Sequence, residues 1–286
     1  MNLADFKSKA LRTLSVQYDL SEAETLIRYL LEDFAGLKKW KWNDENVQLS
    51  RDQIFKLFEV LDRLGKGEPY QYILGKQLFA GHWFEVNGDV LIPRPETEEL
   101  FQFLVEWCKE RAFSPSIIID HCTGSGCLAV SLKKVFPDAR VVGTDVSENA
   151  LKVAKKNAEA LNAPVEFLQV DLLKQDAVKL LPERVDLIVA NPPYVLPSEA
   201  ASMHMNVLKY EPHLALFVPS DDPLVFYRRI LEVSVNTLNE AGLMAFEINP
   251  LYDNKLVEIF SNFYHVKILK DLSGKNRFLF ATKRLE

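Results

Sequence analysis

The chain reads as an α/β protein. A mostly parallel sheet with helices on both faces is preceded by a small N-terminal helical domain and a β-hairpin linker. Three observations predict this. Before residue 68 only helical periodicity is present, and from about residue 97 short apolar runs alternate with helical segments. Between the two, aromatic and β-branched residues alternate with turn formers. The expected boundaries are 1–67, 68–92 and 93–286.

In the first segment Phe6, Ala10, Leu14 and Tyr18 recur near helical spacing. Ser21 followed by Glu24 reads as a capping box opening a helix that runs to about Phe34. Ser50 followed by Gln53 reads as a second, with Ile54, Leu57, Phe58, Leu61 and Leu64 on one face and a stop at Gly65-Lys66-Gly67. A bundle this short is read as a recognition or lid domain rather than a catalytic unit. From Pro69 to about Leu91 the alternation, with Asn87-Gly88 as the turn signal, predicts a β-hairpin.

The later segment predicts helices over 97–111, 127–136, 148–161 and 224–238. Strands are predicted over 117–120, 140–145, 165–170, 185–190 and 242–248, with a final pair near 266–269 and 277–281. Alternating strand and helix imply right-handed crossovers and a parallel sheet. Ligands in such sheets bind outside the carboxyl ends of the strands.

Composition narrows the function classes. Hydrophobic residues are 48% and charged ones 26%, an ordinary globular mix. No apolar stretch approaches the roughly 20 residues that span a bilayer, and the N-terminus lacks a signal peptide's apolar core, so a cytoplasmic location is expected. The net charge of -6 argues against a broad grip on nucleic acid, and Lys38, Lys39 and Lys41 read as a solvated loop. Cys108, Cys122 and Cys127 are too few for a disulfide framework and lack metal-ligand spacing, so no metal is expected and at least two are read as small buried thiols.

Three acidic residues fall at successive strand ends. Asp120 ends the first, ahead of Cys122-Thr123-Gly124-Ser125-Gly126, where glycines allow a tight turn and close backbone approach to a ligand. Asp145 ends the second and suits ribose hydroxyls. Asp171 closes the third, placed for an adenine amino group. Any one of them alone reads equally as a helix cap. Together, beside a glycine turn, they read as a nucleoside pocket.

Asn191-Pro192-Pro193-Tyr194 follows the apolar run 185–190. The Asn191 side-chain carbonyl and the Pro192 backbone carbonyl both accept hydrogen bonds, and Tyr194 offers a flat face. Such a site holds an amino group on a planar system. Beside an adenosine pocket it points to S-adenosylmethionine and methyl transfer, a reaction that depends mainly on in-line positioning.

These motifs, with Ile92-Pro93-Arg94-Pro95-Glu96-Thr97-Glu98 and Pro69-Tyr70-Gln71-Tyr72-Ile73-Leu74-Gly75, resemble the peptide chain release factor N5-glutamine methyltransferases. Glu211-Pro212 with Ala215-Leu216, Phe226-Tyr227-Arg228, and Asp271-Leu272-Ser273-Gly274 with Arg277 fit the same family, so the resemblance covers nearly the whole chain. It implies a class I methyltransferase fold and S-adenosylmethionine as methyl donor. The acceptor it implies is the glutamine of the Gly-Gly-Gln motif in release factors. Carried over by position, residues 122–126, Asp145, Asp171 and Leu172 contact the cofactor, with Asp120 and Asn191 beside them, and Asn191 to Tyr194 hold the glutamine amide. The run from Arg94 to Glu98 shapes the mouth, the helical domain grips the release factor, and a monomer is expected.

Two positions depart from the family. Cys122 stands where it carries the first glycine of the loop, a strained choice if the backbone there needs positive φ. After Leu216 the run Phe217-Val218-Pro219-Ser220-Asp221-Asp222-Pro223 replaces glycines, so a different loop shape is expected. Methylation of a ribosomal-protein glutamine or of a nucleic-acid amino group is the alternative within the same chemistry. A non-catalytic nucleoside sensor is the alternative outside it.

Overall fold

A computed structural model describes residues 1–44 and 46–283. The chain forms two compact units, Met1–Gly75 with His204–Tyr210, and Lys76–Met203 with Glu211–Glu286.

The first unit holds α1 (Leu3–Leu14), α2 (Leu20–Asp33), α3 (Arg51–Gly65) and α4 (Tyr70–Leu74). Its core gathers Phe6, Leu14, Leu30, Leu57 and Leu64. The Ser50 box is present in full: Gln53 N–H donates to Ser50 Oγ (3.2 Å) and Ser50 N–H to Gln53 Oε1 (2.9 Å). The Ser21 box is not. Asp19 caps α2 instead, its Oδ1 accepting from Glu22 N–H at 2.8 Å, because a carboxylate two residues earlier satisfies the orphan donor first. Tyr18 lies beyond the end of α1.

The segment expected to be one hairpin linker divides. Its start is α4, in the first unit. Strands β1 (Lys76–Phe79) and β2 (His82–Glu85) pair antiparallel in the second unit, around Ala80 (φ 48) and Gly81 (φ 78). Two consecutive positive φ values make this the primed turn a hairpin needs. Asn87-Gly88 lies past the strands, where Asn87 Oδ1 accepts from Asp89 N–H at 2.9 Å in a local turn. The hairpin is packed rather than tethered. Phe79 and Phe84 are buried, and the Asn157 side chain bonds both Glu85 backbone groups (2.6 and 3.0 Å).

The second unit continues through α5 (Pro95–Glu110), β3 (Ile117–His121), α6 (Cys127–Val135), β4 (Arg140–Asp145), α7 (Glu148–Ala160), β5 (Glu166–Gln169) and β6 (Val185–Ala190). The short helix α8 (Met205–Tyr210) returns to the first unit, where Tyr210 OH donates to the Lys66 carbonyl at 3.1 Å. Then come α9 (His213–Leu216), α10 (Val225–Thr237), β7 (Leu238–Glu247), α11 (Asp253–Ser261), β8 (Tyr264–Lys270) and β9 (Asn276–Lys283). The helix α11 has no counterpart in the sequence-based expectation.

The sheet order is β5-β4-β3-β6-β7-β9-β8, parallel except for β9, which runs antiparallel to both neighbours. Alternate residues of a strand face opposite sides, and the two cores show it. Ile119, Ile188, Met244 and Phe246 pack with Tyr227 and Leu256 on one face, whereas Ile118, Leu187, Val189 and Ala245 pack with Leu100 and Leu128 on the other. The chain reverses its direction of travel between β3 and β6, which places the switch-point crevice at their carboxyl ends. Among the described residues no helix is long and apolar enough to cross a membrane.

Candidate active site

The first wall of the crevice is the loop after β3. Cys122 (φ 57), Gly124 (φ 54) and Gly126 (φ 79) all take left-handed backbone, and a side chain at Gly126 would also press on Ala154 Cβ at 3.1 Å. Cys122 therefore occupies a conformation that favours glycine. The loop is pinned from below by Asp120, whose Oδ2 accepts from Thr123 Oγ1 (2.5 Å) and from Ala129 N–H at the start of α6 (3.1 Å). Asp120 is thus not the strand's last residue, since β3 runs one residue further to His121, and one of its two oxygens is committed to holding the start of α6. Its Oδ1 has no protein partner. Burial pushes this carboxyl up to about 7, against the pull of its two donors.

His121 beside it is fully buried, with Nδ1 2.8 Å from Thr144 Oγ1 and Nε2 unpartnered. Burial holds it down to about 3, so it stays neutral. Cys108 and Cys127 are the buried thiols, each pushed by burial up to about 12. Cys122 is half-buried.

Asp145 closes β4 as expected. Its Oδ2 accepts from Gly124 N–H (3.0 Å) and its Oδ1 from Ser147 N–H (2.9 Å). Burial raises its pKa, and the backbone donors oppose that rise. Asp171 lies past the end of β5 and accepts from Leu173 N–H at 3.1 Å. Leu172 is buried in the core behind it.

The second wall begins where β6 ends. Asn191 Nδ2 donates to Thr97 Oγ1 (3.0 Å), Thr97 Oγ1 donates to Glu247 Oε2 (2.6 Å), and Tyr194 OH donates to Glu247 Oε1 (3.1 Å). Tyr227 OH holds the Glu247 carbonyl at 2.7 Å. Pro192 and Pro193 are buried, and Tyr194 packs partly against the core. In the 92–98 run, Arg94 stands at the N-cap position of α5 and pairs with the buried Glu211 at 2.5 Å. Glu211 also accepts from Ile92 N–H at 3.3 Å.

Between the walls lies a cavity of about 290 Å³. Asp120, Cys122, Gly124, Asp145, Asp171 and Asn191 all reach it, as do Thr97 and Pro193. Pro192 and Tyr194 stand outside its lining. Phe217 and Pro219, from the loop expected to differ, close part of the rim. Among the described residues no cluster of three or more His, Cys, Asp or Glu side chains is arranged to hold a metal ion.

The Methyltransferase small domain family matches residues 101–210, and the PrmC N-terminal domain family matches residues 8–75. The release factor glutamine methyltransferase of Flavobacterium psychrophilum is 38% identical over 283 residues, covering 98% of each chain. That of Bacteroides thetaiotaomicron is 43% identical over 269 residues, covering 93% of this chain and 95% of the relative. The chain belongs to the release factor glutamine methyltransferase family.

A distant solved structure agrees in fold. The catalytic domain of hMettl16, crystallised with an RNA hairpin, superposes with a TM-score of 0.56 at 16% identity, covering 91% of this chain and 92% of that one. Most of the sequence-predicted residues line the cavity, Gly126, Pro192 and Tyr194 do not, and three partners lie outside the predicted set: His121, Thr97 as a link to Asn191, and Glu247. Glu247 carried a signal, a lone acid inside the apolar run 242–248.

Proposed function

We propose that the protein transfers a methyl group from S-adenosylmethionine to the side-chain amide nitrogen of the Gly-Gly-Gln glutamine in peptide chain release factors. The observation that carries this reading is one cavity with a carboxylate-and-glycine wall facing an asparagine whose amide is tied down by its nitrogen. Release factors are the substrates named for the relatives.

The first wall suits the cofactor. Asp145 has carboxylate lone pairs beyond those its two backbone donors use, as ribose hydroxyls require. Asp120 Oδ1 is a buried acceptor with no protein partner, which suits a cationic group. Residues 122–126, Asp145, Asp171 and Leu172 would hold the molecule. When bound, S-adenosylmethionine supplies a methyl group already activated by its sulfonium.

The chain's own work is then to hold the acceptor. An amide nitrogen is a weak nucleophile because its lone pair is delocalised. Asn191 Oδ1 and the Pro192 carbonyl accept its two hydrogens and favour charge on the nitrogen as the new bond forms. The proton leaves after transfer, so no dedicated base is required. The helical unit, with Trp40 and Phe55 each 72% exposed, is assigned the grip on the release factor away from the chemistry.

Incubation with labelled cofactor and purified release factor should label one glutamine, and a Gln→Ala change in the Gly-Gly-Gln motif should abolish it. Cofactor binding without any transfer would overturn the reading, and labelling of RNA alone would redirect it to nucleic acid.

A further inference from the structure

Glu247 is 3% exposed and is not part of the cavity wall, yet both its carboxylate oxygens are occupied, each by a different hydroxyl. A hydroxyl carries one proton. Facing an ionised carboxylate, which only accepts, Thr97 and Tyr194 must each aim that proton at Glu247. Thr97 Oγ1 then has only acceptor capacity left for its other neighbour. The Asn191 amide atom 3.0 Å away must therefore be the nitrogen, which leaves Oδ1 as the atom available to a substrate. Oxygen and nitrogen of an asparagine amide are alike in shape, so a half-turn costs nothing sterically. The hydrogen-bond direction decides between the two states.

We propose that Glu247 is a positioning residue which, through Thr97 and Tyr194, locks the Asn191 amide with its acceptor toward the substrate and its donor toward the protein. This rests on the reading of Asn191 as the acceptor for the glutamine amide. One carboxylate thereby organises both ends of the Asn191–Tyr194 tetrapeptide, from a strand that ends far from it in sequence.

The lock needs the charge. A protonated Glu247 has one donor of its own, so a hydroxyl facing it is no longer bound to donate. Thr97 could then turn its proton to Asn191, which would answer with Oδ1 and present Nδ2 to the glutamine nitrogen. Two donors would face each other, and the clamp would repel what it should hold. The groups acting on Glu247 come from every side. Burial raises its pKa above the ordinary glutamate value, the Thr97 and Tyr194 hydroxyls and the Arg277 charge lower it, and Glu96 raises it. Tyr227 bonds only its backbone carbonyl. Turnover should therefore fall as pH drops toward the raised pKa of Glu247, at a higher pH than an exposed glutamate would dictate.

The test compares Glu247→Gln, Thr97→Val, Thr97→Ser and Asn191→Ala with wild type. The readouts are kcat and KM for release factor, cofactor dissociation constant by calorimetry, and the pH profile of kcat. A glutamine at 247 both donates and accepts, so it cannot orient both hydroxyls. Expected results for Glu247→Gln are a kcat loss of at least about tenfold, cofactor affinity within about twofold, and loss of the acid limb. Thr97→Val should match it, and Thr97→Ser should restore kcat to within about threefold of wild type. Folded Glu247→Gln or Thr97→Val protein with wild-type kcat and an unchanged acid limb, alongside inactive Asn191→Ala, would overturn the lock while sparing the acceptor role of Asn191. A fully active Asn191→Ala would remove that role and the lock with it. Should Glu247→Gln fail to fold, the Thr97 pair decides.

Discussion

The two walls of the cavity are built on opposite principles. The wall of residues 120–126 is made by backbone: Asp120 and Asp145 are held by N–H groups of Ala129, Gly124 and Ser147, and the left-handed turns set its shape. The wall of residues 191–194 is made by side chains, in a chain of hydrogen bonds from Asn191 through Thr97 to Glu247 and back to Tyr194. The first kind of wall admits a side chain at left-handed backbone, as Cys122 shows. The second transmits a single substitution to the reacting centre.

The largest effect that tests this contrast is Asn191→Ala. It should lower kcat by about 10²-fold, the usual cost of one removed polar contact at a charge-developing site, with cofactor affinity changed no more than about threefold. An equal loss of both would show that the walls are not separable.

Asp145→Ala should do the reverse. Hydrogen bonds to a charged group are each worth about 1.5–3 kcal/mol, so the cofactor dissociation constant should rise by about tenfold or more before kcat moves. Calorimetric titration beside single-turnover kinetics separates the two.

The third test reads stability against pH. His121 is held neutral, with a folded pKa of about 3 against 6.5 for the free side chain. Below 6.5 the unfolded chain binds the extra proton, so this histidine costs stability as pH falls from 6.5 toward 3. Relative to wild type, His121→Leu should gain on the order of 2 kcal/mol between pH 7 and pH 5 in urea unfolding. Asp120 acts with the opposite sign: its folded pKa of about 7 lies above the ordinary 3.8, so its burial weakens the fold as pH rises through that window. Wild-type stability should consequently be flatter with pH than that of the His121 variant. A constant difference between the two proteins would contradict the buried neutral histidine.

The smallest effect is at Cys122. Left-handed backbone costs a non-glycine residue roughly 1–2 kcal/mol, and glycine's greater unfolded-state freedom returns about 0.5–1 of that. Cys122→Gly should therefore stabilise the protein by up to about 1 kcal/mol and leave turnover in place. A destabilisation larger than about 1 kcal/mol would mean that Sγ packing, not backbone, governs the loop.

Much of the loop wall was legible in sequence. Glycines beside acidic residues at strand ends identify themselves, because a tight turn and a strand terminus are local events. The same locality explains the errors. Ser21 matched the capping-box spacing, but Asp19 stood nearer the true helix start. Asn87-Gly88 has the stronger hairpin composition, yet Ala80-Gly81 turns the hairpin, because β1 and β2 must bury Phe79 and Phe84 in the second core.

The sequence by itself determined the α/β class, the Ser50 box, and the glycine loop and strand-end residues that flank the crevice, but not that Pro192 and Tyr194 would stand outside its lining. Periodicity and turn chemistry act over a few residues, so one chain suffices to read them. Only the tertiary structure decided that Thr97 and Glu247, separated by 150 positions, meet over Asn191, or that His121 would be buried beside Asp120. A hydrogen bond's direction depends on the group opposite, and that group is chosen by the fold.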